Sequence, residues 1–121
     1  MKPIKDFKVL ELFAGAGGLA IGLEKAGIKC IGLNEIDKWA CNTLRQNRPN
    51  WNVLEGDIKD FNFDKYNNKV DIVTGGFPCQ AFSYAGKKLG FKDARGTLFY
   101  EFARVVKEVN PPICIGENVK G

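Results

Sequence analysis

A strand-like run, Phe-Lys-Val-Leu-Glu-Leu-Phe at positions 7–13, breaks directly into Ala14-Gly15-Ala16-Gly17-Gly18. Glycines in such a turn reach backbone angles that cost other residues energy, and they allow a second chain or a ligand to come close. The residues that follow are helical in period: from Gly18 to Lys25, Leu19, Leu23 and Ala26 share one stripe, and Gly27 is the expected stop. A strand that enters a helix through a glycine turn is the opening unit of a parallel α/β sheet, and few other folds accommodate it.

The rest of the chain repeats that alternation. Lys29 to Asn34 reads as a second strand, and Asp37 as the N-cap of a helix through Asn47 with Ala40, Thr43, Leu44 and Asn47 at helical spacing, ended by Pro49. Trp51 to Leu54 is a third strand. Gly56-Asp57-Ile58 turns the chain, and a polar connection over Asp60 to Lys69 leads to a fourth strand, Val70 to Thr74. A glycine-studded loop spans Tyr84 to Gly96. Thr97 then caps a helix with Leu98, Phe102, Val105, Val106 and Val109 on one face, and Pro111-Pro112 separates it from a fifth strand, Ile113 to Ile115. The pattern predicts a Rossmann-like, doubly wound α/β domain with a mostly parallel sheet and helices on both faces. The sequence stops a few residues past the fifth strand, where such sheets usually continue into another helix, so an incomplete fold is expected.

At 121 residues, with 45% hydrophobic and 26% charged residues, the chain has one domain's worth of core material and an ordinary soluble composition. No apolar run approaches a membrane span and no secretory pattern opens the chain, so a cytoplasmic location is expected. Cysteines at 30, 41, 79 and 114 form no C-x-x-C pair and histidine is absent, which argues against a metal site and against a disulfide framework. The net charge of +4 is mild. Lys87, Lys88, Lys92 and Arg95 nevertheless cluster after Cys79 with only Asp93 opposing them; a solvated loop explains such a cluster as readily as phosphate contact does, until its neighbour is considered.

That neighbour is Cys79. Pro78 stiffens the backbone before it, two glycines precede that, and polar residues follow, so the thiol sits on a rigid turn rather than inside a strand. Nearby cations would favour its thiolate, which is the nucleophilic form. Cys30, Cys41 and Cys114 lie in strand or helix patterns and read as small buried thiols. Gly15-x-Gly17-x-x-Ala20 fits the dinucleotide fingerprint, and Glu35, about twenty residues on, falls where an acid accepts from ribose hydroxyls. Asp57 is a second acceptor for an adenosine-bearing ligand, or simply a turn cap. Glu117 follows the fifth strand. Gly15, Glu35, Asp57, Cys79 and Glu117 all fall at strand carboxyl ends, where parallel sheets bind ligands.

Together, Leu10 to Gly18, Asn34-Glu35-Ile36-Asp37, Gly56-Asp57-Ile58, Gly76 to Ser83, Arg95 to Phe99 and Glu117-Asn118-Val119 resemble the cytosine-5 DNA methyltransferases over essentially the whole chain. The resemblance implies S-adenosylmethionine as cofactor, Cys79 as the thiolate that adds to cytosine C6, and Glu117 as the carboxyl that hydrogen-bonds at N3 and the exocyclic amine. It places Phe13 near the adenine, the amides around Gly15, Ala16 and Gly18 on the methionine portion, Glu35 on the ribose and Asp57 on the adenine edge. Ile36 stands where many members have a tryptophan, and Ile58, Phe77, Pro78 and Leu98 complete the implied cofactor set. Gln80, Ser83, Lys87 and Arg95 would contact double-stranded DNA, whose target base must leave the stack to be reached. The family continues with an arginine-bearing motif, a target-recognition domain and a returning C-terminal helix, none of which follows here. The implied domain assignment is the N-terminal portion of a methyltransferase catalytic domain, inactive or nearly so alone. A tRNA cytosine-5 methyltransferase, one subunit of a split methyltransferase, a non-catalytic binding or regulatory module, and a nicotinamide-dependent oxidoreductase domain are the competing readings.

Overall fold

β1 (Lys8–Leu12) is the strand around which the sheet is built, and its sequence explains why. In this computed structural model, which describes Pro3 and residues 6–76 and 98–117, four of its five residues are buried. A strand buried on both faces must be central. β1 pairs in parallel with β2 (Lys29–Glu35) on one side and with β4 (Ile72–Gly75) on the other. β3 (Val53–Glu55) adds beyond β2 and β5 (Ile113–Gly116) beyond β4, for the order β3-β2-β1-β4-β5, and every adjacent pair is parallel.

Successive strand residues point to opposite faces, so β1 feeds two cores. Val9 packs with Ile72, Cys30 and Leu33, covered by Ala20 of α1 (Gly18–Lys25) and Leu44 of α2 (Lys38–Asn47). Leu10 and Leu12 pack with Val73 under Phe102, Val105 and Val109 of α3 (Leu98–Val109). Helices therefore lie on both faces, as the alternation predicts. Asp37 caps α2 as expected, accepting from the Trp39 amide at 2.8 Å. Thr97, expected to cap α3, and the loop over 84–96 lie outside the described residues. No described helix is long and apolar enough to cross a membrane.

The polar connection differs from its reading. It holds two short 3-10 turns, Ile58–Asp60 and Asp64–Tyr66, started by Asp57 and Asn62 side chains that accept from the Lys59 and Asp64 amides. Phe63 and Tyr66 are buried in the α3-side core despite their polar neighbours. Arg104 of α3 locks this segment down, donating to the Ile58 and Phe61 carbonyls and to Glu101 and Glu108. Third and fourth strands begin two residues later than the sequence indicates, at Val53 and Ile72.

β5 is an edge strand, and all four of its residues are exposed, Ile113 and Ile115 by 44% and 46%. Cys114, expected to be a buried thiol like Cys30 and Cys41, is exposed for the same reason. An apolar strand pattern does not by itself reveal whether a helix covers it.

Replacing Leu10 by Ala should cost about 3 kcal/mol, the toll of a cavity in a fully buried strand position. Gly17→Ala should also destabilise, because Gly17 has φ +97° and an added Cβ would stand 2.7 Å from Leu44 Cδ2. Urea denaturation of the two variants checks both; a wild-type midpoint for either would contradict the packing described.

Candidate active site

The strand order reverses at β1: β2 and β3 lie to one side, β4 and β5 to the other. Such a reversal opens a crevice at the carboxyl ends of the strands. The turn leaving β1 is shaped for it. Phe13, Gly15 and Gly17 all have positive φ, at 54°, 60° and 97°. For Phe13 this is uncommon backbone, held by the Ala14 amide bonding to the Asn34 carbonyl at 3.0 Å.

Glu35 ends β2 and pins the turn. Its Oε1 accepts from the Gly15 amide at 2.7 Å and its Oε2 from the Asp37 amide at 2.9 Å, so one carboxylate couples the glycine turn to the start of α2. A carboxylate oxygen has two acceptor sites, so these bonds leave capacity for a ligand hydroxyl. The buried Asn34 amide donates to the Leu54 and Gly56 carbonyls, at 2.7 and 3.2 Å, and holds the β3 end in place. Asp57 uses Oδ1 to cap the first 3-10 turn, so its capping role is real.

These residues enclose a pocket of about 130 Å³, lined by Phe13, Asn34, Glu35, Ile36, Gly56, Asp57, Ile58, Lys59 and Leu98. Six of the residues expected around a cofactor therefore meet here: Phe13, Glu35, Ile36, Asp57, Ile58 and Leu98. Ile36 is 64% exposed at the rim. Gly15, Ala16 and Gly18 shape the adjoining turn without lining this pocket.

A second pocket, of about 180 Å³, lies on the other side of Phe13 and is lined by Glu11, Phe13, Ala14, Leu19, Gly76 and Glu117. The Glu117 amide donates to the Gly75 carbonyl at 2.8 Å, extending the β4–β5 pairing by one step and setting Glu117 beside Gly76. The chain leaves the described region just past Gly76 and re-enters it at Leu98. Phe77, Pro78, Cys79, Gln80, Ser83, Lys87, Lys88, Lys92 and Arg95 all lie outside the described residues. A larger groove of about 930 Å³ sits near the amino ends of β1 and β4, beside Lys8 and Asp71, away from every expected site residue.

Glu11 is the site residue that the sequence reading passed over. It is 2% exposed, its Oε1 accepts from the Thr74 hydroxyl at 3.1 Å, and its Oε2 has no hydrogen-bond partner among the described residues. Burial pushes its carboxyl up to about 7, with the Thr74 bond pulling down and Glu117 adding a further push upward. The signal was present in the sequence: an acid inside the apolar run Val-Leu-Glu-Leu-Phe. Burial also pushes the Cys30 thiol up to about 12, aided by Glu11 and Glu24. Cys41 is raised too, chiefly by burial, and donates to the Glu35 carbonyl at 3.3 Å. Among the described residues no group of three metal-ligating side chains occurs.

Comparison with known proteins gives these observations a context. The family model described as C-5 cytosine-specific DNA methylase matches residues 7–121. The chain is 67% identical over 115 residues to the Type II methyltransferase M.Eco47II of Escherichia coli, covering 95% of this chain and 28% of that protein. It is 61% identical to M.PspPI of Psychrobacter sp. (strain TA137), covering 100% of this chain and 29% of that one. A solved structure of a putative DNA modification methyltransferase encoded within an E. coli prophage superposes with a TM-score of 0.77 at 33% identity, over 96% of this chain and 33% of that one. A mutant of DNMT2 from Spodoptera frugiperda gives 0.71 at 27% identity, over 96% and 36%. The chain thus spans under a third of the length of these two curated relatives.

Two outcomes follow from the electrostatics. A carboxyl whose folded pKa is raised from 4.5 to about 7 contributes stability that is fully present below pH 4.5 and lost as pH rises through 7. The loss amounts to up to about 3 kcal/mol. Glu11→Gln should remove that dependence, so its stability relative to wild type rises between pH 5 and 8 in urea titrations; parallel curves would refute it. Native alkylation at pH 8 should modify Cys114 and spare Cys30, as read by peptide mass spectrometry.

Proposed function

Because the chain belongs to the C-5 cytosine-specific DNA methylase family, we propose that it forms the cofactor and catalytic side of a DNA cytosine-5 methyltransferase. Most of such an enzyme's length would come from sequence like that which its longer relatives carry beyond this region. The observation that carries the reading is the pair of pockets sharing Phe13. One has acidic acceptors at two strand ends, and the other presents a carboxyl beside Gly76.

The lining of the first pocket has the chemistry to hold an adenosine. Ile36, Ile58, Leu98 and the Phe13 ring supply apolar walls for a flat base, Glu35 accepts from the ribose hydroxyls, and Asp57 accepts at the base edge. The turn amides from Gly15 to Gly18 take the amino-acid portion, and Phe77 and Pro78 complete the implied cofactor set. When bound, S-adenosylmethionine supplies an electrophilic methyl on a sulfonium.

Cytosine C5 is a poor nucleophile, and the protein's task is to activate it. In this reading the Cys79 thiolate adds to C6 while the Glu117 carboxyl donates at N3, placing electron density on C5. C5, so activated, would take the methyl that the bound cofactor supplies, with the thioether as leaving group. Loss of the C5 proton to a base, return of the N3 proton to Glu117 and expulsion of the thiolate restore the aromatic ring and the free enzyme. Gln80, Ser83, Lys87 and Arg95 hold the DNA around the extruded base. The family's description, a DNA methylase, supports duplex DNA over tRNA, and a nicotinamide-dependent oxidoreductase leaves Cys79 and Glu117 without work.

In the full-length protein, Cys79→Ser should lower labelled methyl transfer to duplex DNA by about 10⁴-fold, and Glu117→Gln by about 10²-fold. Oligonucleotides with 5-fluorocytosine at the target should trap wild type as a covalent adduct, since fluorine cannot leave as the proton does, and should not trap Cys79→Ser. Undiminished transfer by Cys79→Ser would sink the mechanism.

A further inference from the structure

One wall of the first pocket is not a strand end. Gly56, Asp57, Ile58 and Lys59 line it where the chain leaves β3 and enters the 3-10 turn Ile58–Asp60. So short a turn has poor hydrogen-bond geometry and little stability of its own. On the β2 side the Gly56 amide donates to the Glu35 carbonyl at 2.9 Å. On the other side the hold comes from α3, 43 to 46 residues later in the chain.

Arg104 supplies that hold. Its Nη2 donates to the Ile58 carbonyl at 2.8 Å and its Nη1 to the Phe61 carbonyl at 3.2 Å, the first residue of the turn and the one that follows it. The Ile58 carbonyl also accepts from the Phe61 amide at 3.2 Å, so the bond that closes the turn and the bond from α3 meet on one oxygen. Glu101 and Glu108 aim the guanidinium from the same helix, accepting from Nε and Nη1 at 2.8 Å each. Glu108 also reaches the segment itself, its Oε1 accepting from the Phe63 amide at 3.0 Å. The Phe61 ring lies against Gly56, which has φ +144° and would set an added Cβ 3.0 Å from Phe61 Cε2. The pocket end of the turn and its Arg104 end are thus one packed unit. α3 lines the pocket directly as well, through its first residue, Leu98.

We propose that Arg104 is a positioning residue for the adenosine, acting through the turn Ile58–Asp60 to hold Asp57 and Ile58 where they meet the base. The proposal rests on the reading of this pocket as the adenosine site. Asp57 is suited to being held in this way. Its Oδ1 caps the turn by accepting from the Lys59 amide at 2.9 Å, so the carboxylate keeps its place in the pocket lining only while the turn stays closed. An acceptor whose orientation is set before the ligand arrives loses less entropy on binding. Arg104→Lys keeps the positive charge beside Glu101 and Glu108 and gives up the planar fork that reaches two carbonyls at once.

Arg104→Lys in the full-length protein tests this in two ways. Without ligand, hydrogen exchange read by mass spectrometry should quicken about tenfold in peptides covering residues 56–61 and stay unchanged in α1. Calorimetric titration should show S-adenosylmethionine bound about tenfold more weakly, the equivalent of one hydrogen bond lost. Its KM should rise to match, with kcat at saturation within about twofold of wild type. Val105→Ala, which trims a fully buried side chain on the same helix without touching the fork, should lower the melting temperature and leave the affinity unchanged. In an Asp57→Asn background, Arg104→Lys should weaken binding little further, since the group it positions is already impaired. Unchanged exchange over 56–61 would overturn the proposal. So would full affinity despite quickened exchange, or equal losses of affinity in Arg104→Lys and Val105→Ala. Should Arg104→Lys fail to fold, Glu101→Ala frees the guanidinium on one side, and exchange and affinity should move together by about threefold; movement in exchange alone would overturn the proposal. A wild type that binds no S-adenosylmethionine would instead refute the adenosine reading, and the proposal with it.

Discussion

Everything in this domain depends on β1 being paired on both edges at once. With parallel neighbours on each side and helices over both faces, four of its five residues are buried, and its alternating side chains then have to satisfy two separate cores. The same double pairing puts the strand-order reversal at its carboxyl end, which is where the crevice opens. Phe13 emerges there with a positive φ and becomes the wall between two pockets. Fold and site are thus consequences of one topological fact.

Around that crevice, backbone amides and carboxylates do most of the positioning. Glu35 ties Gly15 to Asp37, Asp37 caps α2, and Asn34 holds the end of β3. Each bond to a charged acceptor is stronger than a neutral one. A ligand entering the first pocket therefore meets acceptors whose orientation has already been set. The second pocket is built differently: its key group, Glu11, is held by a single hydroxyl in a strand interior, and its charge is governed by burial rather than by a partner.

Legibility varied with the kind of signal. Glycines, proline and caps mark local geometry, so α1 and α2 appear in the structure where the sequence places them. Phe13, Glu35, Ile36, Asp57, Ile58 and Leu98 meet in one pocket as their positions after strands imply. The segment around Phe63 and Tyr66 was read as a polar connection, because its burial comes from Arg104 and the α3 face, which lie far along the chain. Cys114 was misread for a related reason: β-branched neighbours mark a strand, but exposure depends on what lies over it.

The sequence by itself determined the alternation of strands and helices, the glycine turn and the order of chemistry-bearing residues, because these rest on short-range backbone preferences and side-chain period. Only the tertiary structure decided which strands became neighbours. That choice brought Glu11 and Glu117 into one pocket across β4, and it set the buried acid's protonation near neutrality. Desolvation and like-charge repulsion act through space, and no local pattern in the chain encodes the distance over which they are felt.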